Sequence, residues 1–279
     1  MQTDVVQRWR DRRGVYRPAR ETFDPTRFEV GAIPDDATAK AFVIEHHYSR
    51  SFPAARRRFG LFERGAIVGV AVFSQPMQSA VLRPFAPEEA MELGRLVLLD
   101  HVLANAESWF VARAFDALRG EGVRGVVSFS DPEPREDANG RLTFPGHIGT
   151  VYQALNALYT GRARPNTLRL LPDGTNITAR TLAKIRQRER GWRYAVDALV
   201  ARGAEPPTTD DLRAWLQRAL PTVTRKLRHG GNHRYVFGLT PSDRKWLARE
   251  VTAAPYPKIN RNALSVPVLV GGAARGAGV

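Results

Sequence analysis

Four polar clusters carry residue types that group-transfer chemistry needs. In the first, His46-His47-Tyr48-Ser49, two imidazoles stand beside a phenol, a set that can bind a metal or relay protons. Neighbouring residues of a helix point about 100° apart, so at most one imidazole shares a site with Tyr48. The second runs Glu92-Leu93-Gly94-Arg95-Leu96-Val97-Leu98-Leu99-Asp100 and puts a guanidinium inside an apolar strand, which is costly unless the charge is paired. Asn105 and Ser108 follow it at a helix start, where free N–H groups and the helix dipole favour an anion such as a pyrophosphate or nucleic-acid phosphate; ordinary capping is the alternative. The third, Ser128-Phe129-Ser130-Asp131-Pro132-Glu133-Pro134, ends a dense apolar strand with a carboxylate suited to act as base or metal ligand, or simply as an Asp-Pro turn. The fourth, Gly146-His147-Ile148-Gly149-Thr150-Val151-Tyr152-Gln153, sets backbone N–H groups, an imidazole and a phenol at another helix start, where they can converge on a carbonyl or phosphate.

The elements that must hold these clusters alternate between helix and strand. Asp35 and Asp36 open a helix running to His47. Residues 59–73 read as a hairpin turning at Glu63-Arg64-Gly65, and 91–99 as a further strand. A helix over 105–118 stops at Gly120 and Gly122, a strand covers 123–129, a helix 148–158 and a strand 168–171. Helices over 176–190 and 208–220, a strand over 235–239 and a helix over 241–251 complete the order, the last with Thr240 as N-cap and Pro241 at its first position. Such an order predicts an α/β fold, or mixed α+β, on a half-buried sheet. The expected organisation is a basic N-terminal arm over 1–27, loose or a short helix, whose Arg8, Arg10, Arg12 and Arg13 could meet phosphate. A catalytic core over 28–172 follows, then a basic, mainly helical extension over 173–252 and a disordered tail over 253–279 rich in Pro, Gly and Ala.

Composition narrows the chemistry. The chain has 279 residues, 43% of them hydrophobic, enough for a sizeable core. It has no cysteine, which excludes disulfides, thiolate zinc or iron–sulfur sites and a cysteine nucleophile, and fits a reducing compartment. The charged start does not read as a signal peptide and no run reaches membrane-spanning length, so the expected location is the cytoplasm. The net charge of +14 is segregated: residues 1–160 hold 20 basic and 20 acidic residues, and residues 161–250 hold 19 basic and 8 acidic. A cationic half of this kind points to a polyanion, most often nucleic acid; a solvated arginine-rich surface is the plainer reading. Arg225-Lys226-Leu227-Arg228 and His233-Arg234-Tyr235 are its expected contact points. No Walker A, His-Glu-x-x-His or Gly-x-Ser-x-Gly sequence is present.

The clusters together resemble the Mom family of phage DNA-modification proteins. The resemblance rests on His47-Tyr48-Ser49, Glu92-Leu93-Gly94-Arg95-Leu96, Ser128-Phe129-Ser130-Asp131-Pro132 and Gly146-His147-Ile148-Gly149-Thr150-Val151-Tyr152-Gln153-Ala154, with His233-Arg234-Tyr235 toward the C-terminus. It implies an acyltransferase-like fold of the GCN5-related (GNAT) class. The implied activity converts adenine in DNA to its carbamoylmethyl derivative on the exocyclic amine and shields phage DNA from restriction, with the host cytoplasm as its place if the chain is phage-encoded. The resemblance also implies iron, and a donor that is either an acyl-CoA or a glycyl-tRNA. On this reading His47, Tyr48 and Asp131 form the metal or base side, and Tyr152 donates a proton or orients. Arg95, Asn105 and Ser108 hold the donor, while Arg225, Lys226, Arg228, His233 and Arg234 hold DNA. Where an acetyltransferase has a Gly-rich pyrophosphate loop, this chain has Ala104-Asn105-Ala106-Glu107-Ser108. An adenine methyltransferase is the alternative enzyme, since Asp131-Pro132-Glu133-Pro134 is similar to the Asp-Pro-Pro-aromatic turn of amino-methyltransferases. A non-catalytic nucleic-acid-binding protein on an acyltransferase-like fold is the alternative from another class.

Overall fold

The computed structural model describes residues 5–10, 13–18 and 21–258. In chain order its elements are β1 (Val5–Arg10), β2 (Arg13–Pro18), β3 (Phe28–Ala32), α1 (Asp36–His46), β4 (Ala55–Glu63), β5 (Ala66–Ser74), β6 (Ala90–Leu98), α2 (Ala106–Gly120), β7 (Gly125–Ser130), β8 (Arg135–Glu136), β9 (Leu142–Phe144), α3 (Thr150–Ala154), β10 (Leu158–Arg162), β11 (Asn166–Leu170), α4 (Ala179–Gln187), α5 (Trp192–Val200), α6 (Leu212–Val223), β12 (Arg225–His229), β13 (His233–Gly238) and α7 (Pro241–Glu250). They form two units: Met1–Pro132 with His147–Arg162 and Asn232–Val279, and Glu133–Gly146 with Ala163–Gly231. No helix among the described residues is long and apolar enough to cross a membrane.

The first unit is built on a seven-stranded mixed sheet in the order β10-β13-β7-β6-β5-β4-β3. The expected hairpin is β4 and β5, whose two-residue turn puts Arg64 and Gly65 at positive φ, 50° and 78°. Both central residues of a type I′ turn need that region, which matches the twist of the flanking strands. β6 and β7 are parallel, so a crossover must join them, and α2 supplies it. The helix buries Phe110, Val111, Ala114 and Leu118 on one stripe in the main core. The parallel ladder spans only Ala90–Leu93 against Gly125–Ser128. Past that point β6 pairs with β5 and β7 with β13, so the two strands part at their carboxyl ends. Ligands of open α/β sheets collect at such ends. The α/β class expected from the element order is what the structure has.

Four expectations change. The N-terminal arm is a hairpin of β1 and β2, consistent with the β-favouring Val5, Val6, Trp9, Val15 and Tyr16; the side chains of Arg8, Arg10, Arg12 and Arg13 lie outside the described residues. The helix expected over 148–158 is only α3: Asn156 takes φ 57° just after it, and Leu158–Arg162 becomes the edge strand β10. The strand expected at 235–239 is β13, but it is inserted between β10 and β7 in the core sheet, so the chain does not divide at residue 172. The start of the tail is ordered against β10, where the Ala254 N–H donates to Tyr159 O at 2.8 Å and Tyr256 Oη to Ala157 O at 2.6 Å. The rest of the expected tail, from 259, lies outside the described residues.

The second unit packs α4, α5 and α6 around Leu182, Ile185, Leu199, Trp215, Leu216 and Leu220. It also carries the antiparallel pair β11 and β12, with Leu168 opposite Leu227, and the short pair β8 and β9. Its charge density is high, with 16 Lys and Arg against 9 Asp and Glu.

Candidate active site

Three of the four clusters meet where β6 and β7 part. From β6 come Glu92 and Arg95, separated by a bulge: Val72 of β5 faces Arg95 and Phe73 faces Leu93, so Gly94 is the extra residue. A side chain at Gly94 would run into Ser74 Oγ at 2.7 Å, and a bulge re-aims the residues beside it. From β7 come Ser128, whose Oγ donates to Leu93 O at 3.0 Å across the end of the parallel ladder, and Asp131 just beyond the strand. The loop to α3 returns to the same place, because the His147 N–H donates to Asp131 O at 2.7 Å. Gly149 caps α3 at φ 71°, and a β-carbon there would lie 2.7 Å from the Tyr152 ring and 3.0 Å from that of Tyr235. The backbone thus passes close against two tyrosines where only glycine fits.

The end of α1 supplies His47 and Tyr48. His47 is the helix's C-cap, with its ring 4.2 Å from that of Tyr48 and Nδ1 accepting the Ser49 N–H at 3.1 Å. Nδ1 as acceptor leaves the proton of the neutral ring on Nε2. Tyr48 in turn meets His147 edge to face at 6.1 Å between ring centres. Arg95 clamps the loop that follows, donating from Nε to Ser51 O at 2.8 Å and from a terminal nitrogen to Ser51 Oγ at 2.7 Å.

The electrostatics follow from burial with few compensating charges. Burial pushes the His147 imidazolium down to about 4, with Asp131 opposing and His233 adding to the shift. Its Nε2 is shielded from solvent. His47 is held well below its ordinary value by burial, then by Arg95 and His147. Both imidazoles are therefore neutral at pH 7. Burial raises the Glu92 carboxyl, against the pull of Arg95, and lowers Arg95 itself, against the pull of Tyr48, Glu92 and Tyr152. Burial raises the Tyr152 phenol, which a hydrogen bond with Ser128 partly offsets, so it stays protonated.

His47, Tyr48, Arg95, Asp131 and Tyr152 thus fall in one neighbourhood, together with His147, the imidazole expected to converge with Tyr152, and the structure adds Glu92 and Ser128, which had no expected role of their own. His147 stands between Gly146 and Gly149 in the sequence; that signal is local, and only the fold brings Tyr48 and Asp131 to it. The expected donor contacts Asn105 and Ser108 have other partners. Ser108 Oγ donates to Asn105 O at 3.0 Å within the first turn of α2, a local bond to the backbone. That helix start already faces carboxylates: Glu107 is buried in the first turn, and Glu21 accepts the Ala104 N–H at 2.9 Å. The Ala104 N–H at that helix start is thus already taken by a carboxylate. Iron finds no support in the donor set. Among the described residues no group of three or more His, Asp or Glu could hold a metal ion, and Nδ1 of His47 is engaged by Ser49.

Two expected DNA contacts are corrected. His233 is buried on β13 with Nδ1 2.7 Å from Tyr159 Oη. Arg234 spends its guanidinium on Thr160 Oγ1 at 3.1 Å, Val81 O at 3.1 Å and Arg83 O. Both hold the core sheet and its neighbouring loop. Arg225, Lys226 and Arg228 are exposed on β12 of the second unit, where Arg225 also donates to Glu136 O at 2.8 Å.

A mixed sheet that opens beside a buried cluster of imidazole, phenol, carboxyl and guanidinium groups has the layout of a group-transfer site. The sequence model of the Mom protein family matches residues 27–258, which take in every residue of that cluster, and the chain belongs to this family. No curated protein matches it. Solved structures with related architecture include a tandem GNAT protein from the clavulanic acid biosynthesis pathway, at 9% identity and TM-score 0.41 over 77% of this chain and 99% of that one. A Bacillus subtilis acetyltransferase in complex with CoA matches at 9% identity and TM-score 0.34 over 77% and 99%. An N-acetyltransferase from Staphylococcus aureus Mu50 matches at 12% identity and TM-score 0.35 over 76% and 99%. At such scores and identities these neighbours say nothing of substrate or cofactor.

Proposed function

We propose that this chain modifies DNA by transferring an acyl-derived group to the exocyclic amine of adenine, giving the carbamoylmethyl base, and so protects phage DNA from restriction. The observation that carries the reading is the meeting of Tyr48, His147, Asp131, Arg95 and Tyr152 at the parting of β6 and β7 in a chain of the Mom family. The adenine amine is a poor nucleophile because its lone pair is delocalised into the ring. Attack acidifies that nitrogen as the bond forms, so a neutral imidazole of low basicity is enough to take the proton. His147 has that state, and Asp131 stabilises the imidazolium it becomes. Tyr48 lies against His147 and orients the amine. Tyr152, kept protonated by burial, donates to the oxygen or leaving group that gains charge, with Arg95 adding positive potential. Within a duplex the base must also leave the stack, which costs a few kcal/mol, and phosphate contacts by the basic unit can offset this.

The carboxylates at the start of α2 favour a donor with no pyrophosphate there, and a glycyl-tRNA ester carries the two-carbon, one-nitrogen unit the product needs. Attack of the adenine amine on the ester carbonyl releases the tRNA hydroxyl and gives the glycyl amide; transfer of adenine C6 from the amide nitrogen to the glycyl amine, with no change in composition, then gives the carbamoylmethyl base. Mass spectrometry of nucleosides from cells with and without the chain tests the function. A deoxyadenosine heavier by a carbamoylmethyl group is expected. Unmodified adenine in the presence of soluble, abundant protein would sink the proposal, and a methyl-sized gain would install the methyltransferase alternative.

A further inference from the structure

Tyr194 stands at 80% exposure at the start of α5, on a helix whose other face is buried. The exposed ring offers an apolar face and a hydroxyl to a ligand, and its sequence neighbours are cationic. Arg186, Arg190 and Arg193 are all exposed, and no acid pairs with them among the described residues. Arg193 lies over the Trp192 ring at 5.1 Å, so its guanidinium is held near the surface beside Tyr194. The nearby acids are largely spoken for: Glu189 pairs with Arg180, and Asp210 with Arg188 at 3.1 Å. Asp197, one turn beyond Arg193, is the one acid within α5.

The scaffold is specific too. α4 and α5 are nine residues each and are joined by the four residues 188–191, ending in Gly191 at φ 83°. Both pack on α6 through Leu182, Ile185, Val196, Leu199 and Leu216. Two short helices joined by a tight glycine-containing turn form the frame of a helix-turn-helix, whose second helix offers its N-terminal residues to the major groove. With its side chains an α-helix is about 10–12 Å across, which a major groove about 12 Å wide admits.

We propose that α4, the turn and α5 form a docking head for duplex DNA, with Arg186 and Arg190 on phosphates and Arg193 and Tyr194 in the groove. The proposal rests on the DNA-modification reading and names a surface distinct from β12. It is tested on the full chain by titrating a duplex oligonucleotide at several salt concentrations, using Arg186→Gln/Arg190→Gln, Tyr194→Ala and Tyr194→Phe. These positions are exposed, and an unchanged thermal midpoint checks folding. The arginine pair should flatten the slope of log affinity against log salt by about 0.9 for each phosphate no longer neutralised. Tyr194→Ala should weaken duplex binding about fivefold while Tyr194→Phe stays near the parent, because the contact of the ring and not its hydroxyl is used. Parent-like slopes and affinities in folded variants would overturn the docking head, and so would a parent chain that binds structured RNA but no duplex. Nucleoside mass spectrometry of the parent decides the DNA-modification reading separately, so the two can fail independently.

Discussion

At the residue scale the site depends on protonation states set by burial. Tyr48→Phe and Asp131→Asn nearly conserve volume, so packing should survive while a proton-handling group is removed. Each should lower modification of cellular DNA by about 10²-fold or more, the usual share of an acid–base group, with little change in thermal midpoint. Full activity in both would place the chemistry elsewhere. His147 gives a pH test with a definite sign. Its folded pKa, about 4, lies below the ordinary value near 6.5, so between the two the unfolded chain binds a proton that the native chain does not. Its contribution to stability is therefore whole above the unfolded pKa and is lost as pH falls toward 4, at about 1.4 kcal/mol per pH unit at most. Urea unfolding across that window should show a steeper acid loss for the parent than for His147→Gln. Equal slopes would mean that this imidazole does not titrate as a buried group. His47, shifted the same way, should still steepen both curves.

At the element scale the site depends on short pieces of chain brought close. Gly149→Ala would force a positive φ on an alanine and a β-carbon against Tyr152 and Tyr235. A loss of about 1–3 kcal/mol is expected, read as a lower urea midpoint, whereas Gly140→Ala, with open space at its β-carbon, should lose only the backbone share. Equal losses would show that the close approach to the tyrosines does not matter. Much of this was legible in the sequence. The β4–β5 hairpin announced itself through apolar strands about Arg64-Gly65, α7 through Thr240 and Pro241, and the site through its clusters of His, Tyr, Asp and Arg. The rest depends on long-range pairing that local patterns do not encode. β13 reads as an apolar strand wherever it sits, and nothing near Tyr235 says that it must pair with β7, over a hundred residues earlier. His233 and Arg234 therefore looked like surface cations, and their burial follows from that pairing. Asn105 and Ser108 looked like an anion cradle because Glu21, far off in sequence, gives no local sign that it meets Ala104.

At the scale of the whole molecule, the segregated charge of the sequence becomes a dense basic unit carrying two exposed cationic surfaces, and these should behave differently. On β12, strand alternation puts Lys226 and Arg228 on one face, opposite Arg169 and Thr167 of β11, while Arg225 is tied to Glu136 O. The expected partners of these exposed cationic side chains are phosphates. Lys226→Gln/Arg228→Gln should flatten the salt slope by about 0.9 for each phosphate released and weaken binding uniformly across DNA sequences, because phosphate contacts position the protein without reading bases. Arg225→Gln should do less, since its guanidinium already has a carbonyl. Replacing Arg193 on α5 should instead alter the ranking of DNA sequences, as removing a hydrogen bond to a base edge does, at about 1–3 kcal/mol for the preferred base. A competition assay with a pool of randomised duplexes separates the two effects. If the β12 variants change the ranking and the α5 variant does not, the two surfaces have exchanged roles, and adenine context is read from β12.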